Sequence, residues 1–360
     1  MKKSLTAIII VWLLLLGQPD DLFADYTMMC TYYENPVAYI YKVSDEGDIS
    51  LWYNMTVTPG GEPDSVVFSS NGHWGIVGCW TTDWLPTQWT ILLEIDKNSM
   101  INVLDYIYND LSWLVAISPD SKYGIYGCDL KSLRYYSDGN YQIIPSTNPI
   151  LTGGRECSFS TLNNHFFCEY SGTVSNSISE YLMNEDGSTT STGFKLDIKP
   201  SNGYGDIKVS PDGHTCIVLS AITYYVTVLR IHAEGGFDLV EQFNSPSTNA
   251  NEVDFTPVSQ YAIITFFNGM RIYRIEQDSH LTETDSIVLP YRPGEYMAIT
   301  PDGKFVITGI FNFQVVRILE GGKFQYLPEK DYPHTPGSVS ALAFVPPQIT
   351  EANPSWNVYQ

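Results

Sequence analysis

Basic side chains are scarce in this 360-residue chain, where 19 Lys and Arg face 40 Asp and Glu for a formal net charge of −21. A surface of that sign repels phosphate backbones and anionic lipid head groups, which excludes nucleic acid and acidic membranes as partners. The acidity reads first as a solubility device and second as a means of steering a ligand. Helical patterning is also missing: beyond residue 17 no segment keeps an apolar period of 3.6, so the chain is expected to be nearly all β. One long apolar run exists, the 13 residues Leu5 to Gly17, and it falls short of the ~20 needed to span a bilayer. Preceded by "MKK" and followed by "DLFA", it reads as a signal peptide covering residues 1–24, cleaved after Ala24. The mature protein is then expected to be soluble, without a membrane span, and extracytoplasmic, either periplasmic or secreted. No Gly-rich phosphate loop and no Gly-x-Ser-x-Gly elbow occurs, which removes support for nucleotide binding and α/β-hydrolase chemistry. His73, His165 and His214 fall in hairpin turns without metal-ligand spacing and read as plain turn residues.

The chain does contain a repeat. "IKVSPDGHTCIVL" and "MAITPDGKFVITG" each hold a tight turn between two β-prone runs, and "VVFSSNGHWGIVG", "VAISPDSKYGIYG" and "VDFTPVSQYAIIT" follow the same plan. Aligned on the apolar residue two before the turn proline, the anchors are Phe68, Ile117, Phe159, Val209, Phe255, Ile299 and Phe344, at intervals of 49, 42, 50, 46, 44 and 45. Seven recurrences near 46 residues match the period of propeller blades, four-stranded units that cannot bury both faces alone. A second hairpin completes the unit, as in residues 41–53, 180–192, 229–241 and 273–285. The N-terminal unit has three strands and lacks its first, and "SVSALAFV" at 338–345 supplies it. This predicts one all-β domain over residues 25–346, a seven-bladed β-propeller closed by its C-terminal strand, with 347–360 as a loose tail.

Pairs such as "YRIEQDSHLTETD" with "AITPDGKFVITG" resemble the YVTN/WD40-like propellers of lactonase type, the 6-phosphogluconolactonases among them, over residues 26–346. The resemblance implies that ligands meet the face formed by the loops that lead into the innermost strand and out of the second one. On that face the candidates are Trp84, Trp113, Arg155, Glu156, Asp206, Glu252, Glu295 and Tyr296. Glu156, Asp206 and Glu252 share one column, three residues before the anchor in consecutive repeats, and so converge toward the axis. Clustered carboxylates of this kind are candidate ligands for Ca²⁺ at the channel mouth, or acid–base groups of raised pKa. As rim groups, Asp206 and Glu252 are expected to be replaceable without loss of the fold. The histidine pair and the Asn-Tyr-Gly loops of the lactonases are absent, so no catalytic residue carries over. The aromatic loop "CWTTDWLPTQW", with Trp84 at its centre, suits stacking on a sugar or anchoring a protein partner.

Cys157 and Cys168 lie on the two strands of one inner hairpin. A four-residue turn pairs 160 with 165 and therefore 157 with 168, close enough for a disulfide. Cys216, Cys79 and Cys128 read as buried thiols. Together these features predict an exported, monomeric binding or scaffold propeller that offers its channel-mouth face to a protein, small molecule or carbohydrate. An extracytoplasmic hydrolase of lactonase type, dependent on a divalent cation, is the alternative.

Overall fold

The computed structural model describes residues 25–348 apart from 33–34, 58–61, 81–87, 110–113, 128–129, 147–153, 172–175, 199–204, 221–224, 246–249, 292–295 and 329–337. Residues 1–24, expected from the sequence to be a signal peptide, tail residues 349–360, Trp84, Trp113, Glu295 and Cys128 lie outside the described residues. All the regular elements described are strands, 28 of them, arranged as seven four-stranded antiparallel sheets that form a seven-bladed propeller.

Each blade runs from the channel outward in chain order. Blade 1 is the exception in sequence: its innermost strand is the C-terminal Val339–Val345, paired with Tyr26–Tyr32 in a register that sets Thr27 opposite Val345 and Cys30 opposite Leu342. The ring therefore closes by a strand ladder between the two ends of the described chain, which leaves no open edge between its first and last blades. The innermost strands of blades 2 to 7 are Glu62–Phe68, Val115–Ile117, Gly154–Phe159, Ile207–Val209, Ala250–Phe255 and Met297–Ile299. Each ends on the anchor residue taken from the sequence.

The turn after each anchor follows from its residues. Ser210 Oγ donates to Asp212 Oδ1 at 2.6 Å, the His214 N–H donates to the same oxygen, and the Gly213 N–H closes on the Ser210 carbonyl at 2.8 Å. Gly213 takes φ +78°, a left-handed value that favours glycine. Thr300, Asp302 and Gly303 repeat the arrangement, with Gly303 at φ +73°. Ser121 and Ser259 hold the equivalent conformation without glycine, and each is stitched to a neighbouring blade: Ser70 bonds Ser121, and the Asp212 N–H donates to Ser259 Oγ.

Alternation along the strands buries both faces of every inner sheet. Seven hydrophobic clusters result, one at each blade boundary: Met28 and Tyr41 pack with Phe305 and Phe313 between blades 1 and 7, and Ile217 and Val228 pack with Ile264 and Phe266 between blades 5 and 6. At about 1.5–3 kcal/mol per fully buried large apolar side chain, these seams hold the ring together. Cys157 and Cys168 face each other in register and form a disulfide, with Cα atoms 4.4 Å apart, in the seam between blades 3 and 4. Cys30, Cys79 and Cys216 are buried outside any disulfide.

His165 is more than a turn residue. It begins the second strand of blade 4, and its Nδ1 lies 2.9 Å from Glu180 Oε1. Glu180 is fully buried and also accepts bonds from Thr192 Oγ1 and from the Gly236 N–H of blade 5. Burial pushes the Glu180 carboxyl up, but the bonds from His165, Thr192 and Gly236 outweigh it and hold the group below the usual carboxylate range.

Candidate functional site

The innermost strand of a propeller blade has one edge without a strand partner, so its N–H groups need other acceptors. Around blades 4 to 7 the acceptors are side chains of the preceding blade. The Val209 N–H of blade 5 donates to Ser158 Oγ of blade 4 at 2.9 Å. From blade 6, the Val253 N–H donates to Asp206 Oδ2 of blade 5 at 2.8 Å. Blade 7 repeats this twice: the Met297 N–H donates to Glu252 Oε2, and the Ile299 N–H donates to Asp254 Oδ2 at 3.3 Å. The rule is regular. A side chain three before an anchor takes the N–H two before the next anchor, and one immediately before an anchor takes the next anchor's own N–H.

Blade 5 breaks the rule twice. By position, Glu156 should accept from the Ile207 N–H, but that N–H turns to the Asp206 carboxylate beside it, and Glu156 accepts from no described residue. Lys208 stands where an acceptor is needed for the Phe255 N–H; an ammonium cannot accept, and the Phe255 N–H donates instead to Asp254 Oδ1 at 2.9 Å. Lys208 makes no hydrogen bond or contact ion pair with a described residue. Two groups of opposite charge, on adjacent blades and facing the same channel, are thus left out of the backbone network.

The electrostatics follow from this placement. Burial, the neighbouring Asp206 carboxylate and Asp64 and Glu169 beyond it push Glu156 well above the usual carboxylate range, against the opposing pull of Lys208. Glu252 rises for the same reasons, with burial first and Asp206 next. Asp206 and Asp254 rise less, since Lys208 and two backbone N–H groups each oppose the effect of burial. Burial works against the Lys208 ammonium, but Asp206, Asp254, Glu252 and Glu156 together raise its pKa and keep it charged.

These side chains line an axial channel of about 2540 Å³. Its wall has two halves. Blades 4, 5 and 6 present Glu156, Asp206, Lys208, Glu252 and Asp254, whereas blades 1, 2 and 3 present Ala341, Leu342, Ser65, Val67 and Ala116 together with the carboxylate Asp64. Tyr296 of blade 7 is half-buried, and its hydroxyl donates to Asp64 Oδ1 of blade 2 at 3.3 Å. Asn251 also lines the channel; its Nδ2 is buried with no acceptor among the described residues.

Measured against the sequence reading, the structure brings Glu156, Asp206, Glu252 and Tyr296 to one channel and adds Lys208 and Asp254, each two residues beyond a predicted carboxylate on the same face of its strand. Arg155 lies in the inner strand of blade 4, with only its backbone described. Two expectations are corrected. Asp206 is 8% exposed and bonded across a blade seam, so it is a structural tie rather than a replaceable rim group, and Glu252 serves the same way. Among the described residues no three His, Cys, Asp or Glu side chains come together to hold a metal ion. The calcium reading of Glu156, Asp206 and Glu252 loses its geometry, because two of the three point at backbone N–H groups and Lys208 supplies the counter-charge.

Known structures agree on the architecture. A candidate 6-phosphogluconolactonase from Bacteroides uniformis superposes with a TM-score of 0.73 at 14% identity, covering 89% of this chain and 99% of that one. The periplasmic gluconolactonase of Pseudomonas aeruginosa gives 0.71 at 13% identity over 89% and 99%. A functionally unknown protein from Desulfotomaculum acetoxidans gives 0.68 at 14% identity over the same shares. No protein-family model and no curated protein matches the sequence. The chain therefore has the fold of the lactonase-type propellers, and the likeness extends to the fold alone.

Proposed function

We propose that this chain is an extracytoplasmic binding propeller that holds a small polar ligand at the mouth of its channel. The observation that carries the reading is the pair left out of the seam network: Glu156 and Lys208 face the channel, and neither makes a hydrogen bond or contact ion pair with a described residue. A carboxyl group and an ammonium group held in place by a closed ring suit ligand capture, since little ordering cost falls on the protein. Export is supported by the apolar segment at 5–17 and by the Cys157–Cys168 disulfide, which suits an oxidising compartment. The loop around Trp84 extends the same reading to a sugar or protein partner.

A hydrolase of lactonase type is the second reading. It is favoured by Glu156, whose pKa is raised by burial and by Asp206 in the direction that suits a general acid, and by the gluconolactonase among the fold-mates. One experiment separates the two. In a pH-stat assay with glucono-δ-lactone, the binding reading predicts hydrolysis at the spontaneous rate with wild type and with Glu156→Gln alike. Acceleration by the wild type that disappears in Glu156→Gln would install the hydrolase instead.

A further inference from the structure

The two unengaged groups restrict what the channel can hold. We propose that the space between Glu156 and Lys208 is a binding site for a small zwitterion, a free α-amino acid, whose carboxylate meets Lys208 and whose ammonium meets Glu156. This deepens the channel-mouth reading above and rests on it.

Complementarity supports the class. A simple anion would gain Lys208 but face Glu156, Asp206, Glu252 and Asp254. A simple cation would gain those carboxylates but face Lys208. A neutral polyol would offer neither the Lys208 ammonium nor the Glu156 carboxyl a group of opposite charge to meet. An α-amino acid brings both signs within one small molecule. Its carboxylate also has a second donor in view: Asn251 Nδ2, buried on the wall of the same channel with no acceptor among the described residues. Its ammonium has a second acceptor in Glu252, which spends only Oε2 on the Met297 N–H. The opposite half of the channel, with Val67, Ala116 and Ala341, offers apolar surface for an aliphatic side chain. The high pKa of Glu156 and Glu252 is consistent with a site short of one positive charge.

Isothermal titration of the full mature chain with glycine, L-alanine and L-leucine tests the proposal, with acetate, ethylamine, D-glucose and D-gluconate as comparison probes. The expected result is that an amino acid binds at least about tenfold more tightly than acetate or ethylamine, and that Lys208→Met and Glu156→Gln each weaken it by about tenfold or more. Glu156→Gln removes no bond to a described residue, so it reports on binding even where Lys208→Met fails to fold. Binding of glucose or gluconate without any amino acid would overturn the zwitterion class and leave the channel-mouth reading standing. Heats at the dilution level for every probe would overturn both.

Discussion

The two halves of the channel wall are built on the same backbone plan and differ in chemistry in one column of side chains. In blades 1 to 3 the column three before the anchor holds Ala341, Ser65 and Leu114, and in blades 4 to 6 it holds Glu156, Asp206 and Glu252. Both halves use the same four-stranded antiparallel blade. The difference teaches that the ring needs only small or apolar groups in this column, so the charged half is an addition to a frame that closes without it. Part of that addition has been absorbed into the frame, because Asp206, Glu252 and Asp254 satisfy edge N–H groups of the next blade. Glu156 and Lys208 have not.

The frame itself gives the largest expected effect. Deleting residues 338–346 removes Val339, Ala341, Leu342 and Val345, all buried, along with the ladder to the first strand; the loss should be on the order of 5 kcal/mol or more, seen as failure to fold or a collapse of the melting temperature. An unchanged melting temperature would break the claim that this strand closes the ring. In the charged half, Lys208→Met removes the positive charge that offsets four carboxylates and should lower stability at pH 7, by less than the strand deletion. The loss should shrink toward pH 4 as those carboxylates take up protons, which urea unfolding at the two pH values would show.

Asp254→Ala strips the acceptor from the Phe255 and Ile299 N–H groups, and a cost of about 2 kcal/mol follows at neutral pH. The matching change in the apolar half, Ala116→Gly, touches no such bond and should cost no more than about 1 kcal/mol. Equal losses for the two would erase the distinction between the halves. Away from the channel, the Glu180 tie between blades 4 and 5 gives a pH signature of its own. Its folded pKa is depressed, so its stabilisation is complete above the ordinary carboxylate value and is lost as pH falls through the folded one. His165→Ala should therefore flatten the acid limb of a thermal-stability profile, and a profile that overlays wild type would contradict the tie.

The frame was legible because repetition exposes it. Seven anchors, the turn chemistry of Asp212 and Gly213, and the 157–168 pairing all follow from spacing and local geometry, which one sequence contains in full. The site was legible only in part. Glu156, Asp206 and Glu252 stand out as a column, and period-two alternation from Asp206 and Glu252 points to Lys208 and Asp254 as their companions. What the column cannot show is which oxygen meets which N–H, since that depends on the offset between neighbouring blades, a tertiary quantity. The roles of Asp206 as a tie and of Glu156 as an unengaged group therefore appear only in three dimensions. His165 likewise reads as a turn residue until the loop of blade 5 brings Gly236 beside Glu180.

That division of roles is tested most directly by thermal unfolding of Glu156→Gln and Asp206→Ala side by side at pH 7 and pH 4. Glu156 has a folded pKa well above the ordinary carboxylate value, so its ionisation lowers stability as pH rises past that value, and no described backbone group depends on it. Glu156→Gln is predicted to melt higher than wild type at pH 7 and level with it at pH 4. Asp206→Ala is predicted to melt lower at pH 7, because the Val253 N–H loses its acceptor and Lys208 its first partner. A Glu156→Gln variant that melts below wild type at pH 7, in step with Asp206→Ala, would place Glu156 in the frame and contradict the account of an unengaged pair at the channel mouth.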